Sequence, residues 1–453
     1  MAKESTRKRY FGTDGIRGSW NDAVINEAFA YRFGCALAAF LKERIPDRPA
    51  AVYLGRDTRA SGKQLAQSIY DGLSNAGVFV CDLGIIPTPA VALVTAHQSA
   101  DLGVMVTASH NPSSDNGYKV FGPGGLKLSK DDEALVEELI DQLPAQQRKP
   151  SEVCGHCFDG LSYYINYMQA LLDEGCLAGR RLIVDLANGA TTATAPKVFD
   201  RWGGDIQFLG NQPDGENINA GVGSEHPEKL GKIVREQHAV LGIAFDGDGD
   251  RVVIVDESGQ PVAGEIILAL LARDAHAQGR LASNLLVTTV HSNGGLDRAV
   301  RDFGGCTERT DVGDRNVLYR MQERGANLGG ESSGHVIFTD LIPSGDGLLS
   351  AIKFLELWLR QEASVAELAS EVKLYPQAEG TLKVASKPAL ETLGHFSSAL
   401  ESAEAQLADG KGRVLVRYSG TEPKLRFLVE AEDNGTAEAV LESLMTAAKR
   451  DLN

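Results

Sequence analysis

The sequence predicts an α/β protein of three related mixed-sheet α/β modules and a smaller α+β C-terminal domain, arranged around a central cleft. Three observations carry this. A succession of short apolar strand, Gly/Ser/Asn-rich loop and amphipathic helix restarts near residues 51, 182 and 285. From about Leu374 the pattern changes to half-buried strands alternating with longer helices. The length of 453 residues exceeds what a single hydrophobic core sustains. The expected boundaries are 1–157, 158–279, 280–373 and 374–453.

Taken in order, Lys8 to Gly18 places three glycines around Thr13, Asp14 and Arg17, a backbone that turns tightly and allows close approach of a ligand. Its plain alternative is a surface turn. Ile25 to Ile45 has helical apolar spacing, Ala50 to Gly55 reads as a strand, and a helix over 63–76 leads to a strand over 78–83. Pro87-Thr-Pro89 opens a helix ahead of the buried run Val104 to Val106. Tyr118 to Phe121 is then a short strand, and Asp131 to Leu143 a helix. In the second module a helix over 161–172 precedes strands at Arg181 to Asp185, Asp205 to Leu209 and Val240 to Phe245. Asn211 to Pro227 is a long loop of turn-forming residues, followed by a helix over 228–238. In the third, the strand Asn284 to Val290 runs through His291-Ser-Asn-Gly-Gly295 into a helix, and Gly345-Asp346-Gly347 starts another. The last domain has strands at 382–384, 412–417 and 425–430, with helices near 388–408 and 434–450.

Composition narrows the class. The formal charge of −16, from 45 basic against 61 acidic residues, argues against non-specific binding to nucleic acid. An anionic ligand must therefore be held by a local cluster of Arg and Lys. No apolar run is long enough to span a bilayer, and the polar, basic first ten residues predict no signal peptide. Six cysteines in so long a chain make no dense disulfide framework, which predicts a cytoplasmic setting. Cys154-Gly-His-Cys157 has the spacing of a dithiol or half a zinc site, but sits in a polar connector without a full ligand set, and incidental cysteines are the expectation.

Four strings carry chemistry. Thr107-Ala-Ser109-His110-Asn111-Pro112 follows a buried strand and delivers hydroxyl, imidazole and amide groups into one loop, where α/β folds place reactive groups. Alone it reads equally as a capped, solvated turn. Asp246-Gly-Asp248-Gly-Asp250-Arg251 sets three carboxylates at alternate positions, which repel one another unless a cation sits among them. Hard oxygen ligands without Cys or His favour Mg²⁺ over zinc, and the EF-hand pattern is missing. Arg417, Ser419, Gly420, Thr421 and Arg426 have the composition of a phosphate clamp, or of a tight turn between strands. Glu331, Ser333 and His335 can exchange hydrogen bonds with sugar hydroxyls, and His335 can move a proton; on their own they read as a polar loop. Combined, the four strings describe a phosphoryl-transfer site.

Over its whole length the chain resembles the α-D-phosphohexomutase superfamily, and Phe11-Gly-Thr-Asp-Gly-Ile-Arg-Gly18 is similar to the branch acting on glucosamine phosphates. The resemblance implies Ser109 as the phosphoserine carrier and Asp246, Asp248 and Asp250 as ligands of one Mg²⁺ per chain, completed by an oxygen on Ser109 and closed by Arg251. It implies Glu331, Ser333 and His335 as the sugar-selecting loop, and Arg417, Ser419, Gly420, Thr421 and Arg426 as the distal phosphate loop. Arg17, His110 and Lys119 match positions near the phosphoserine, with Lys119 and His335 as candidates for proton transfer. The implied reaction is isomerisation of glucosamine 6-phosphate to glucosamine 1-phosphate through glucosamine 1,6-bisphosphate, for amino-sugar nucleotide and cell-wall precursor synthesis. The expected partner is a small phosphosugar rather than nucleic acid or membrane, with homodimerisation left open. The chain departs from the usual text at His291, commonly Met or Leu, at Ser332, commonly Gln or Met, and after Gly18. The alternatives are a phosphomannomutase or phosphoglucomutase, a phosphatase, and a non-catalytic sugar-phosphate sensor on the same scaffold.

Overall fold

Local capping chemistry starts the elements of the first module. In the computed structural model, which describes residues 10–144, 147–151, 158–408, 410–419 and 422–452, the Asn26 side chain accepts from the Phe29 amide and opens a helix. The module runs β1 (Ile16–Ser19), α1 (Glu27–Arg44), β2 (Ala51–Arg56), α2 (Gly62–Ser74), β3 (Phe79–Ile85), α3 (Thr88–His97), β4 (Leu102–Val106), β5 (Asp115–Phe121) and α4 (Lys130–Gln142). α1 buries Phe29, Phe33, Leu37 and Leu41 at helical spacing. It crosses α2 closely because Gly34 and Gly72 face the partner's backbone, where a Cβ on either would lie 2.4 Å from a carbonyl oxygen.

The second module has α5 (Gly160–Gln169), β6 (Arg181–Asp185), α6 (Ala195–Asp200), β7 (Asp205–Leu209), α7 (Pro227–Glu236), β8 (Leu241–Phe245), β9 (Val252–Val255) and β10 (Pro261–Val262). Next come α8 (Gly264–Ala277), β11 (Leu285–Thr289), α9 (Gly294–Asp302), β12 (Cys306–Thr310), α10 (Asp314–Arg324), β13 (Leu328–Gly330), β14 (Val336–Phe338), α11 (Gly347–Leu359) and α12 (Val365–Ser370). The C-terminal unit is β15 (Gln377–Lys383), α13 (Gly394–Gln406), β16 (Gly412–Tyr418), β17 (Lys424–Ala431) and α14 (Asn434–Leu452). Periodicity assigns nothing between Val255 and Asn284. The chain forms α8 there, and because Ile267 to Ala272 are all buried, no polar face breaks the apolar run into a helical rhythm.

The sheets share one plan. Their orders are β1-β5-β4-β2-β3, β10-β9-β8-β6-β7 and β12-β11-β13-β14. In each, parallel strands joined by helices end in an antiparallel return: β4 to β5, β8 to β9 and β13 to β14. The serine loop, the aspartate loop and the Glu331 loop are those three returns. The last sheet, β15-β17-β16, is antiparallel throughout, and its β16–β17 hairpin carries the arginine string. One continuous apolar core joins α3, the second module and the third, from Met105 and Phe121 through Trp202 and Phe245 to Phe354. The C-terminal unit keeps a core of its own around Phe396, Phe427 and Leu444. It is tied to the third module by Arg413, whose guanidinium donates to the carbonyls of Val290 at 2.9 Å and Ser292 at 2.6 Å. Cys154, Cys157, Gly420 and Thr421 lie outside the described residues.

Candidate active site

β4 is buried along its whole length and ends at a sharply fixed turn. The Thr107 hydroxyl donates to Asp57 Oδ2 at 2.7 Å and accepts the Ser109 amide at 2.9 Å. Ser109 has φ of +53°, left-handed backbone that non-glycine residues rarely adopt. Arg59 holds this conformation. Its Nε pairs with Asp57 at 2.9 Å, and its two terminal nitrogens donate to the carbonyls of Ser109, Asn111, Pro112 and Asp115. Asn219, from the long loop of the second module, donates to the carbonyls of Ser109 at 2.9 Å and Asn111 at 3.1 Å. Neither Arg59 nor Asn219 is singled out by the sequence. Arg59 does follow the C-terminal end of β2, the parallel neighbour of β4, so strand-end placement is a signal that could have found it.

The Ser109 hydroxyl donates to Asp246 Oδ2 at 2.7 Å. Gly247 permits that approach, since a Cβ there would lie 2.6 Å from the Ser109 carbonyl oxygen. One carboxylate oxygen from each of Asp246, Asp248 and Asp250 falls within 4.8 Å of the others, and all three residues are buried. Burial, then Asp250 and Asp248, hold the Asp246 carboxyl well above its usual range. For Asp250 burial pushes upward too, but the charges of Lys119, His335 and Arg251 outweigh it and the group is held well below. Thr88 Oγ1, from the start of α3, donates to Asp248 Oδ2 at 2.5 Å. Asp248 Oδ1 and Asp250 Oδ1 are buried with no hydrogen-bond partner. Converging hard carboxylates with two unpaired oxygens fit a small divalent cation.

Around this centre stand the other expected groups. Lys119 Nζ, on β5, lies 2.8 Å from both Asp248 and Asp250. Arg17 on β1 pairs with Asp14 at 2.5 Å, and Arg251 with Glu225 at 3.5 Å. His110 is depressed by burial and by the charge of Arg251. His335 lies 3.7 Å from Asp250 and 3.5 Å from Asp314; burial alone would lower it, but Asp250, Asp314 and Glu331 raise it to about 9. The Glu331–His335 turn rests on the aspartate loop, because Gly334, at φ of +86°, packs against the Val252 carbonyl and accepts the Val252 amide at 3.1 Å. Glu331 Oε1 accepts the Gly313 amide at 3.0 Å, while Ser332 and Ser333 are exposed. Arg17, His110, Asp250, Arg251, Glu331 and His335 line a cleft of about 410 Å³. A second cleft of about 410 Å³ has Arg417 and Arg426 opposite His291 and Ser332. Arg417 and Arg426 are direct cross-strand partners, and Arg426 is paired with the Glu422 carboxylate at 2.8 Å. Ser419 is buried between these strands, its hydroxyl accepting the Glu422 amide at 3.2 Å.

Comparison with known proteins follows the four units. The model of phosphoglucomutase/phosphomannomutase α/β/α domain I matches residues 8–147, domain II 162–259, domain III 263–375, and the C-terminal domain 382–447. The chain is 42% identical to a phosphoglucosamine mutase of Lysinibacillus sphaericus over 448 residues, 98% of this chain and 99% of that one. It is 42% identical to that of Symbiobacterium thermophilum over 446 residues, again 98% and 99%. A phosphoglucomutase/phosphomannomutase family protein from Burkholderia thailandensis superposes with a TM-score of 0.81 at 26% identity, over 97% of each chain.

Proposed function

The chain belongs to the phosphoglucomutase/phosphomannomutase family, and from that membership we propose that it interconverts glucosamine 6-phosphate and glucosamine 1-phosphate through a phosphoserine at Ser109. It is an isomerase of the phosphomutase type. The observation that carries the assignment to Ser109 is its hydroxyl, held 2.7 Å from Asp246 inside a converging carboxylate trio.

In this reading the phosphorylated serine gives its phosphoryl group to O1 of the sugar, breaking the Ser109 Oγ–P bond as the O1–P bond forms. The product, glucosamine 1,6-bisphosphate, turns round in the cleft and returns its 6-phosphoryl group to Ser109. Asp246, Asp248 and Asp250 would hold one Mg²⁺, which when bound neutralises charge on the transferring phosphoryl group. Arg59 and Asn219 keep Ser109 in line by holding its carbonyl. The attacking hydroxyl gives up its proton and the leaving oxygen gains one, and Lys119 and His335 are the groups that would take and return it. Arg17, His110 and Arg251 line the cleft where the reacting phosphate would sit. Arg417, Ser419, Gly420, Thr421 and Arg426 take the phosphate at the far end, while Glu331, Ser333 and His335 take the sugar hydroxyls and amine. Because the C-terminal unit has its own core and reaches the third module through a few polar ties, it can close over the sugar and exclude water. The four units, 1–157, 158–279, 280–373 and 374–453, each contribute one of the four strings. The setting is cytoplasmic, with a small phosphosugar as partner; among the described residues no helix is long and apolar enough to cross a membrane.

The test is turnover on a panel of hexosamine and hexose 6-phosphates with a catalytic amount of 1,6-bisphosphate as primer. Conversion of glucosamine 6-phosphate ahead of the hexoses is the expected result. Release of inorganic phosphate without isomerisation would point to a phosphatase and end the proposal.

A further inference from the structure

Lys119 has partners that belong to two different tasks. Its Nζ lies 2.8 Å from Asp248 Oδ2, 2.8 Å from Asp250 Oδ2 and 3.2 Å from Asp14 Oδ2, with the side chain 3% exposed. Asp248 and Asp250 belong to the carboxylate trio. Asp14 comes from the turn before β1 and faces the cleft with Arg17. Pairing of Ile16 with Tyr118 sets that turn beside Lys119, and Gly15 makes it possible, since a Cβ there would lie 2.3 Å from the Tyr118 carbonyl oxygen.

An ammonium on the Oδ2 atoms of Asp248 and Asp250 and a divalent cation on their unpaired Oδ1 atoms cannot share these carboxylates at little cost. Unscreened like charges a few ångströms apart repel strongly in a buried site. Arg251 and His335 also approach Asp250, but at 3.9 Å and 3.7 Å, and from its other oxygen. Lys119 is thus the cation held most closely by the trio, at 2.8 Å from two of its members. It also has somewhere to go. Asp14 Oδ2 is already within 3.2 Å, and the flexible four-carbon stem can shift toward it without a change in the backbone. That oxygen is shared with Arg17 Nη2 at 2.5 Å, while Lys127 holds Oδ1 and bridges to Asp314.

We propose that Lys119 is an exchangeable counter-charge of the carboxylate trio: as a divalent cation enters, the ammonium leaves Asp248 and Asp250 for Asp14. Its arrival at Oδ2 loosens the hold on Arg17, whose guanidinium becomes free for a phosphate in the cleft. Metal loading and phosphate capture are coupled in this way through one carboxylate oxygen. The inference rests on the metal reading above, and the experiment separates the two.

Mg²⁺ binding is measured by calorimetry on the full chain with Ser109 unphosphorylated, for wild type, Lys119→Met, Asp14→Asn and the double variant. Lys119→Met is expected to bind Mg²⁺ about tenfold or more tightly than wild type, because the competitor is gone. Asp14→Asn is expected to weaken binding several-fold, and that effect should shrink to within about twofold once Lys119 is removed, the signature of two residues acting through each other. Lys119→Gln, which retains a donor toward Asp248, guards against misfolding and should show the same tightening, with a larger Mg²⁺-induced rise in Tm than wild type. Affinity unchanged or weaker in both Lys119 variants, or an Asp14→Asn effect of equal size with and without the lysine, overturns the exchange while leaving the metal site standing. No Mg²⁺ binding by any of the proteins overturns the metal reading itself, and the exchange with it.

Discussion

The Ser109 hydroxyl and the Asp246 carboxylate meet at 2.7 Å although 137 positions separate them in the chain. Each sits in the antiparallel return of its own sheet, so the contact joins two topologically equivalent loops of neighbouring modules. The proposed nucleophile and the carboxylate trio are therefore brought together by the packing of sheets, not by one flexible segment. Ser109→Ala is expected to fold, since alanine removes a single oxygen, and to lose at least about 10³ in kcat, the scale typical of deleting a covalent nucleophile. Intact mass should show a phosphate adduct on active wild type that is missing from the variant.

Asp248→Asn removes one charged oxygen from the trio while an amide oxygen can still accept from Thr88. Mg²⁺ affinity should fall about tenfold or more, because hard cations select charged oxygen. Calorimetric titration beside a thermal melt distinguishes lost binding from lost folding.

Asn219 is a cross-module strut. Asn219→Ala leaves the buried carbonyl of Ser109 and the half-buried carbonyl of Asn111 with one donor fewer each. The expected cost is about 1–3 kcal/mol in chemical denaturation. Because the strut acts through the backbone of the proposed nucleophile, kcat should fall about tenfold with KM nearly unchanged. A raised KM with normal kcat would contradict the assignment.

Asp346 caps α11, accepting the Leu349 amide at 2.9 Å and the Tyr164 hydroxyl at 2.8 Å, and burial raises its pKa to about 7. A folded-state pKa above the unfolded one means that its stabilisation is complete below about pH 4 and lost as pH rises through 7. Asp346→Asn keeps the cap without the charge. Its stability relative to wild type should therefore increase between pH 4 and pH 8, on the order of 2–4 kcal/mol. Equal pH profiles for the two proteins would show that the carboxyl is not titrating there.

Glu331 spends Oε1 on the Gly313 amide at 3.0 Å, which orients the group and leaves Oε2 for a ligand. A carboxylate favours a protonated amine over a neutral hydroxyl through a charge-assisted hydrogen bond of roughly 1.5–3 kcal/mol. Glucosamine 6-phosphate should exceed glucose 6-phosphate in kcat/KM by about tenfold or more, and Glu331→Gln should reduce that ratio and slow both sugars. Equal efficiency on the two sugars in wild type would leave only a broad phosphohexomutase.

Elements with one buried and one solvated face were legible in the sequence, α1 among them, because their periodicity records which side meets water. The strand ending at Val106 was legible for another reason, as a short apolar β-branched run that breaks off at polar residues. α8 was not, because its central run Ile267 to Ala272 is buried on every side. In the site, the group that announces itself is the one whose composition is costly without a ligand, three carboxylates in five residues. Arg59, Asn219 and Lys127 carry no such mark. They bind backbone carbonyls or bridge carboxylates between distant segments, and that role is created by tertiary approach alone. His291 and Ser332, noted only as departures, line one cleft with Arg417 and Arg426, a convergence visible only once the third module and the last hairpin are packed.

The left-handed backbone at Ser109 bears on which amino acids evolution can try there. Threonine offers the same hydroxyl and the same phosphate ester, and in solution the two alcohols are close equivalents. At φ of +53°, however, a β-branched side chain crowds its own main chain, and the strand buried behind it cannot rotate to relieve the strain. The choice between two chemically adequate alcohols is thus made by a torsion angle. A lineage that accepted Ser109→Thr would have to rebuild the turn before it could inherit the reaction.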